Sequence, residues 1–177
     1  MKGIIAVCLK EMVIERFGIE KWESVLINTG ETQDISFLAT GDIDDKFVMS
    51  LIKAVCRAVN LSKEEIADIF GEYWVSTFSQ KVYGGLYRRH KTAEEFILAM
   101  DHLHLDITRN IINASPPGFD YDWKDRKTLI MTYKSKRNMI DFAAGLIRAV
   151  GKYYTEDLQV TKINDKQLKI VFGDRCD

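Results

Sequence analysis

The chain has 177 residues, of which 46% are hydrophobic and 29% charged, and it carries a formal net charge of −1. These values describe one soluble globular domain with a sizeable core, in one or two subdomains. They supply no basic field to attract nucleic acid or an anionic membrane, and no apolar run reaches the roughly 18 residues that cross a bilayer.

Apolar residues spaced by three and four predict a helix over 2–17, with Ile5, Cys8, Leu9, Met12, Val13 and Phe17 on it and Gly18 as its stop. This apolar start runs on as a helical pattern and lacks a small-residue cleavage site, so it does not read as a signal peptide. A short helix over about 19–28 carries Trp22, Val25 and Leu26. The stretch 29–43, rich in Gly, Thr and Asp, reads as a connection. Asp44 is the expected N-cap of a helix over about 45–60. Ser62-Lys63-Glu64-Glu65 is a capping box that predicts a helix to about Gln80, and Gly84-Gly85 predicts a break. Thr92-Ala93-Glu94-Glu95 is a second capping box. Its helix is expected to reach about Ala114, where Pro116-Pro117-Gly118 ends it.

After the prolines the pattern changes. Phe119-Asp120-Tyr121-Asp122-Trp123 alternates aromatic and acidic residues, as a strand does. Asp125-Arg126-Lys127 predicts a turn, and Thr128–Ser135 a second strand. Residues 138–154 return to helical spacing, with Met139, Phe142, Leu146, Ile147 and Val150. Two last strands, about 157–163 and 166–172, are joined at Asn164-Asp165. The fold class is α+β, a helical N-terminal part followed by a smaller α/β part with a mostly antiparallel four-stranded sheet.

Cys8, Cys56 and Cys176 are far apart, with no Cys-x-x-Cys and no Cys/His cluster. That argues against a zinc site or a disulfide framework and suits a reduced, cytoplasmic compartment. No dinucleotide fingerprint, P-loop, nucleophile elbow or His-Glu-x-x-His is present.

Two features carry chemistry. The helix after Thr92 sets Ala93, Phe96, Ile97, Met100, His104, Ile107 and Ile111 along one face, so His104 sits in an apolar stripe, while His102 lies about 200° round the helix. A lone histidine there is more often a core residue than a ligand. The second feature is Tyr133-Lys134-Ser135-Lys136-Arg137. On an extended backbone Tyr133, Ser135 and Arg137 share one face, where two hydroxyls and a guanidinium form a clamp for a carboxylate or phosphate. Such a triplet also arises by chance on a strand's outer face. Taken together, an imidazole in an apolar slot and an anion clamp suit haem, whose iron takes an axial histidine and whose propionates need donors.

With these residues the chain resembles the H-NOX family, the haem nitric oxide/oxygen-binding domains related to the sensor domain of soluble guanylate cyclase. The resemblance covers nearly the whole length. It runs through Met1-Lys2-Gly3-Ile4-Ile5, Phe70-Gly71-Glu72-Tyr73-Trp74 and Thr77-Phe78, then the His104 helix with Pro116-Pro117, and finally Tyr133-x-Ser135-x-Arg137. It implies a single bacterial haem domain over 1–177, with a distal helical part of about 1–62, a proximal part of about 63–177, and haem b (iron protoporphyrin IX) between them. It implies that His104 is the proximal iron ligand and His102 a bystander. Tyr133, Ser135 and Arg137 would hold the propionates, and Pro117 would press on the macrocycle. Ile5, Leu9, Trp74, Phe78, Met100, Phe142 and Leu146 would line the pocket.

Members that hold oxygen stably carry a tyrosine where this chain has Phe142. Phenylalanine has no donor, so the resemblance implies a sensor of NO, with CO also bound and oxygen largely excluded. Trp74 opposes this, because its indole N–H is a donor and an oxygen-binding member could use it. The expected mechanism is release of His104 when NO binds, with haem relaxation against Pro117. The expected readers are a histidine kinase, a cyclic-di-GMP enzyme or a chemotaxis receptor, separate or fused, with no nucleic acid and no membrane segment in this chain. The competing readings are a haem-free protein-interaction module and a haem enzyme such as a peroxidase. The apolar distal side offers an enzyme no acid–base residue. Some relatives carry a C-terminal zinc site, for which only Cys176 lies in the right region here.

Overall fold

The structure, a computed structural model, describes residues 1–30 and 37–173. Cys176 and the tail after Gly173 lie outside the described residues, as does the middle of the predicted 29–43 connection. The chain divides into two compact units, Met1–Ile66 with Ile111–Ser115, and Ala67–Asn110 with Pro116–Asp177.

The first unit is helical. Helices α1 (Ile4–Phe17), α2 (Ile19–Thr29) and α3 (Asp45–Val59) bury Leu9, Met12, Trp22, Leu51 and Ile52, each at 1% exposure or less. Gly18 turns α1 into α2 at φ 94°, where a side chain would be strained. The Asp44 carboxylate caps α3 by accepting from the Lys46 and Phe47 amides at 2.7 and 3.1 Å. The Ser62 box is reciprocal, with Glu65 N–H donating to Ser62 Oγ at 3.1 Å and Ser62 N–H to Glu65 Oε2 at 2.8 Å.

That box opens α4 (Lys63–Tyr73), which the sequence extends to Gln80. The helix instead widens into a π turn, Trp74–Phe78, and continues as α5 (Ser79–Tyr87). Gly84-Gly85 is therefore no break. Two helical glycines cost only about 1 kcal/mol each against alanine, and α5 is held by the buried Ser79, Gly84 and Tyr87. The next helix is shorter than expected. It runs as α6 (Ala93–Leu98) and α7 (Met100–Thr108), ending before Ala114 and well ahead of the prolines. Asn113 takes the left-handed region at φ 60° in the segment that follows. Thr92 Oγ1 caps α6 by accepting from Glu95 N–H, but the Glu95 carboxylate accepts from Lys91 N–H, so the box closes one residue early.

The rest of the second unit is a sheet with one helix. Strands β1 (Gly118–Trp123), β2 (Thr128–Lys134), β3 (Leu158–Asn164) and β4 (Gln167–Phe172) pair antiparallel in the order β1-β2-β4-β3. The predicted turn is made by Asp125, whose Oδ1 accepts from the Lys127 and Thr128 amides, each at 2.8 Å. Leu129 and Met131 stand opposite Ile170 and Leu168, and all four are buried. Helix α8 (Ile140–Tyr153) packs on β3 and β4 and buries ten of its residues, including Asp141, Phe142 and Gly145.

Candidate functional site

His104 is placed by three hydrogen bonds that tie α6 and α7 to Pro117 and β1. Its Nδ1 lies 3.1 Å from the Pro117 carbonyl, Asp101 Oδ1 accepts from Phe119 N–H at 2.9 Å, and the Tyr121 hydroxyl donates to Ile97 O at 2.7 Å. Positions 97, 101 and 104 share a helix face, while 117, 119 and 121 alternate along extended chain. The two periods therefore mesh at three successive rungs. A carbonyl only accepts, so the Pro117 contact fixes the imidazole proton on Nδ1 and leaves the Nε2 lone pair free to bind a metal. Burial pushes the His104 pKa down, against the opposing pull of the Pro117 carbonyl and the Asp101 carboxylate. The ring is thus kept neutral, as metal ligation requires. His102 is exposed. Met100 and Ile107 are half-buried beside His104, and Leu103, outside the predicted stripe, is buried.

The anion clamp is differently built from the extended triplet expected. Strand β2 ends at Lys134, so only Tyr133 lies on it. Ser135 Oγ accepts from Arg137 N–H at 3.3 Å, a local turn, and Asn138 follows at φ 51°. Side-chain-to-backbone bonding of this kind competes with a sheet ladder, which is why the alternation stops there. Tyr133 is 5% exposed, and Ser135 and Arg137 are half-buried. Phe119 joins the two features. Its ring centroid lies 5.9 Å from that of His104 and 5.9 Å from that of Tyr133, its register partner. The imidazole and the start of the clamp are therefore neighbours on one side of the sheet.

A second cluster forms where α8 meets α4 and the π turn. Phe142 packs edge-on to Phe70 at 5.2 Å, Phe70 stacks on Trp74 at 5.9 Å, and Trp74 meets Phe78 at 5.3 Å. Three predicted pocket residues, Trp74, Phe78 and Phe142, are thereby drawn together through Phe70. Leu146, one turn beyond Phe142, is half-buried. Ile5 and Leu9 belong to the first unit, one turn apart on α1, with Leu9 fully buried.

Phe119, Asp101, the Phe70 contact and the Pro117 carbonyl join the site in addition to the residues expected from the sequence. The aromatic alternation of β1 was a signal for Phe119. Nothing in the sequence marks a backbone carbonyl as a partner.

The family model described as Haem-NO-binding matches residues 2–162. Soluble guanylate cyclase gcy-37 of Caenorhabditis elegans is 22% identical over an alignment of 175 residues that covers 94% of this chain. The chain spans 24% of the length of that curated relative. Among solved structures, an oxygen-binding H-NOX domain in its oxygen complex is 25% identical, with a TM-score of 0.80 over 98% of this chain and 96% of that one. An H-NOX protein from S. oneidensis in the Fe(II)NO state shares 17% identity and a TM-score of 0.85 over 98% and 100%. The Fe(II) unliganded H-NOX protein from K. algicida shares 20% and 0.84 over 100% and 99%. Among the described residues no helix is long and apolar enough to cross a membrane, and no group of His, Cys, Asp and Glu could hold a metal ion by itself.

Proposed function

The chain belongs to the haem-NO-binding family, and from that premise we propose that it is a haem b sensor of NO, which also takes CO, largely excludes oxygen and signals to a partner protein. H-NOX proteins are haem-based gas sensors related to soluble guanylate cyclase. The observation that carries the reading here is His104, a neutral imidazole with Nδ1 engaged by the Pro117 carbonyl and Nε2 free. A backbone acceptor behind the ring is how metal-binding histidines are usually oriented.

The rest of the donor set fits the same group. Tyr133, Ser135 and Arg137 supply two hydroxyls and a guanidinium for propionates, worth about 1.5–3 kcal/mol for each well-shielded charged bond. Pro117, whose carbonyl engages His104, would press on the macrocycle, and Met100, Phe78 and Leu146 would offer apolar wall. When bound, the haem supplies a ferrous iron that takes a diatomic gas. Oxygen gains more from a hydrogen-bond donor than NO or CO does, and Phe142 offers none. Trp74, the one donor of the aromatic cluster, has its ring packed against Phe70 and Phe78. An oxygen-binding member that used its indole N–H is the alternative reading.

Signalling would start at His104. Its ring is tied to Pro117 and its helix to β1, so displacing the imidazole pulls on strand and helix together. A gas that favours the released position biases a two-state element, as allostery requires. The partner classes are a histidine kinase, a cyclic-di-GMP enzyme or a chemotaxis receptor, in the cytoplasm. The chain acts as a sensor and not as an enzyme.

The test is the absorption spectrum of the ferrous protein with and without NO. A Soret band is expected, lost or altered in His104→Ala, with a five-coordinate NO form. No Soret band, or one indifferent to His104→Ala, defeats the haem reading. A stable oxy spectrum in air defeats the selectivity, and a six-coordinate NO form defeats release of His104.

A further inference from the structure

His104 and Pro117 belong to the second unit, yet the chain between them does not stay there. It leaves that unit after Asn110, runs through Ile111–Ser115 as part of the first unit, and returns at Pro116. Within this loop the Ala114 amide donates to Ile111 O at 3.2 Å, and Asn113 sits in the left-handed region at φ 60°. Asparagine tolerates that backbone better than most residues. Its Nδ2 donates to Asp42 Oδ2 at 3.2 Å. The other oxygen of the same carboxylate takes the Lys2 ammonium at 2.7 Å, and Lys2 and Asp42 also pair through their backbones as an antiparallel bridge. The next residues continue the seam, with Gly3 N–H donating to Gly41 O at 2.8 Å and Ile4 N–H to Ala39 O at 2.9 Å. Ile4 is the first residue of α1.

We propose that Asp42 couples the loop between His104 and Pro117 to the start of α1, so that release of His104 is felt at residues 2–4. This role rests on the haem-sensor reading with release of His104, and it names the residues through which that event enters the first unit. His104 is tied to both ends of the loop. The Thr108 hydroxyl donates to His104 O at 2.6 Å on the near side, and the Pro117 carbonyl meets the imidazole on the far side. A displaced imidazole therefore acts on the loop from both directions. Asn113 carries that displacement to Asp42, because a carboxylate only accepts and the carboxamide N–H must be the donor. Asp42 passes it on, because one carboxylate serves both Asn113 and Lys2. The coupling is reciprocal: whatever holds residues 2–4 also biases the position of His104.

Hydrogen exchange followed by mass spectrometry, with fragmentation that resolves the Gly3 and Ile4 amides, reads the coupling in the full chain. In the wild type these amides should exchange at rates that differ by about 2- to 10-fold between the unliganded ferrous form and the NO form, the range for one ordinary hydrogen bond. Asn113→Gly removes the donor and keeps the left-handed backbone accessible, and Asp42→Ala removes the acceptor. Both positions are exposed, so each variant should keep the wild-type Soret band. In either variant the two forms should exchange alike, and the double variant should add nothing, because links in series break once. A merely structural bond would shift both forms equally and leave their difference intact. Wild-type amides indifferent to NO, or a response kept in either variant, overturn the proposal while the Soret band and the five-coordinate NO form still stand. A protein with no Soret band, or with an NO form that stays six-coordinate, sinks the reading beneath the proposal as well.

Discussion

Gly71 and Gly145 meet backbone to backbone: a Cβ on Gly71 would lie 2.4 Å from the Gly145 carbonyl oxygen, and one on Gly145 would lie 2.1 Å from the carbonyl oxygen of Ala67. Helices α4 and α8 therefore touch through their main chains. This close approach lets Phe142 reach Phe70 and closes the aromatic cluster.

Gly145→Ala and Gly71→Ala should both destabilise the protein, despite the better helix propensity of alanine. Overpacking a tight contact costs about 1–3 kcal/mol, and for this size each kcal/mol lowers Tm by about 2–4 °C. Gly85→Ala is the opposite case. Gly85 is exposed in α5 with nothing within 4 Å of a new Cβ. It should gain up to about 1 kcal/mol. Calorimetric melting of the three variants checks both signs, and a stabilised Gly145→Ala would contradict the crossing.

The helix-to-strand rungs make a second prediction. Asp101→Ala removes the acceptor of the Phe119 amide and should cost about 1.5–3 kcal/mol, whereas Tyr121→Phe should cost about 0.5–1.5 kcal/mol. Hydrogen exchange at the Phe119 amide should accelerate in Asp101→Ala and stay slow in Tyr121→Phe. Equal rates in both would show that the rungs do not act separately.

The pH dependence follows from Asp141 and Lys162. Asp141, 5% exposed, accepts from Lys162 Nζ at 2.8 Å. That hydrogen bond, more than any other interaction, holds the ammonium above the usual lysine value of 10.5. A raised pKa in the folded state stabilises fully below the unfolded value and is lost as pH climbs through the raised one. Urea titrations should therefore show a stability loss above about pH 10.5 that is absent in Lys162→Met. At neutral pH Lys162→Met should itself cost about 1–3 kcal/mol, because the carboxylate stays buried without that cation.

Within the proposed function, Arg137→Ala should weaken haem retention by about 10- to 150-fold, measured as transfer to an excess of a haem acceptor. Ser135→Ala should weaken it less, since the Ser135 oxygen also serves the Arg137 amide. Phe142→Tyr should raise oxygen affinity by about 5- to 150-fold, read by gas titration of the ferrous form. No rise would remove Phe142 from the selectivity argument.

The sequence alone settled what depends on neighbours in the chain. Capping residues Asp44, Ser62 and Thr92, the strand alternation from Phe119, and the spacing of Phe142 to Val150 are local signals with local causes, and the corresponding helices and strands stand where those signals start. The residue types of the candidate site, His104 and the Tyr133-x-Ser135-x-Arg137 triplet, were legible for the same reason. Tertiary structure decided the rest. Helix α5 runs through Gly84-Gly85 because packing around Tyr87 outweighs propensity, the clamp leaves the strand at Ser135 because a side chain bonds the local backbone, and the Pro117 carbonyl sets the tautomer of His104 from thirteen residues away. Local patterns carry no term for such distant contacts, and at this site those contacts set the direction and chemical state of each functional group.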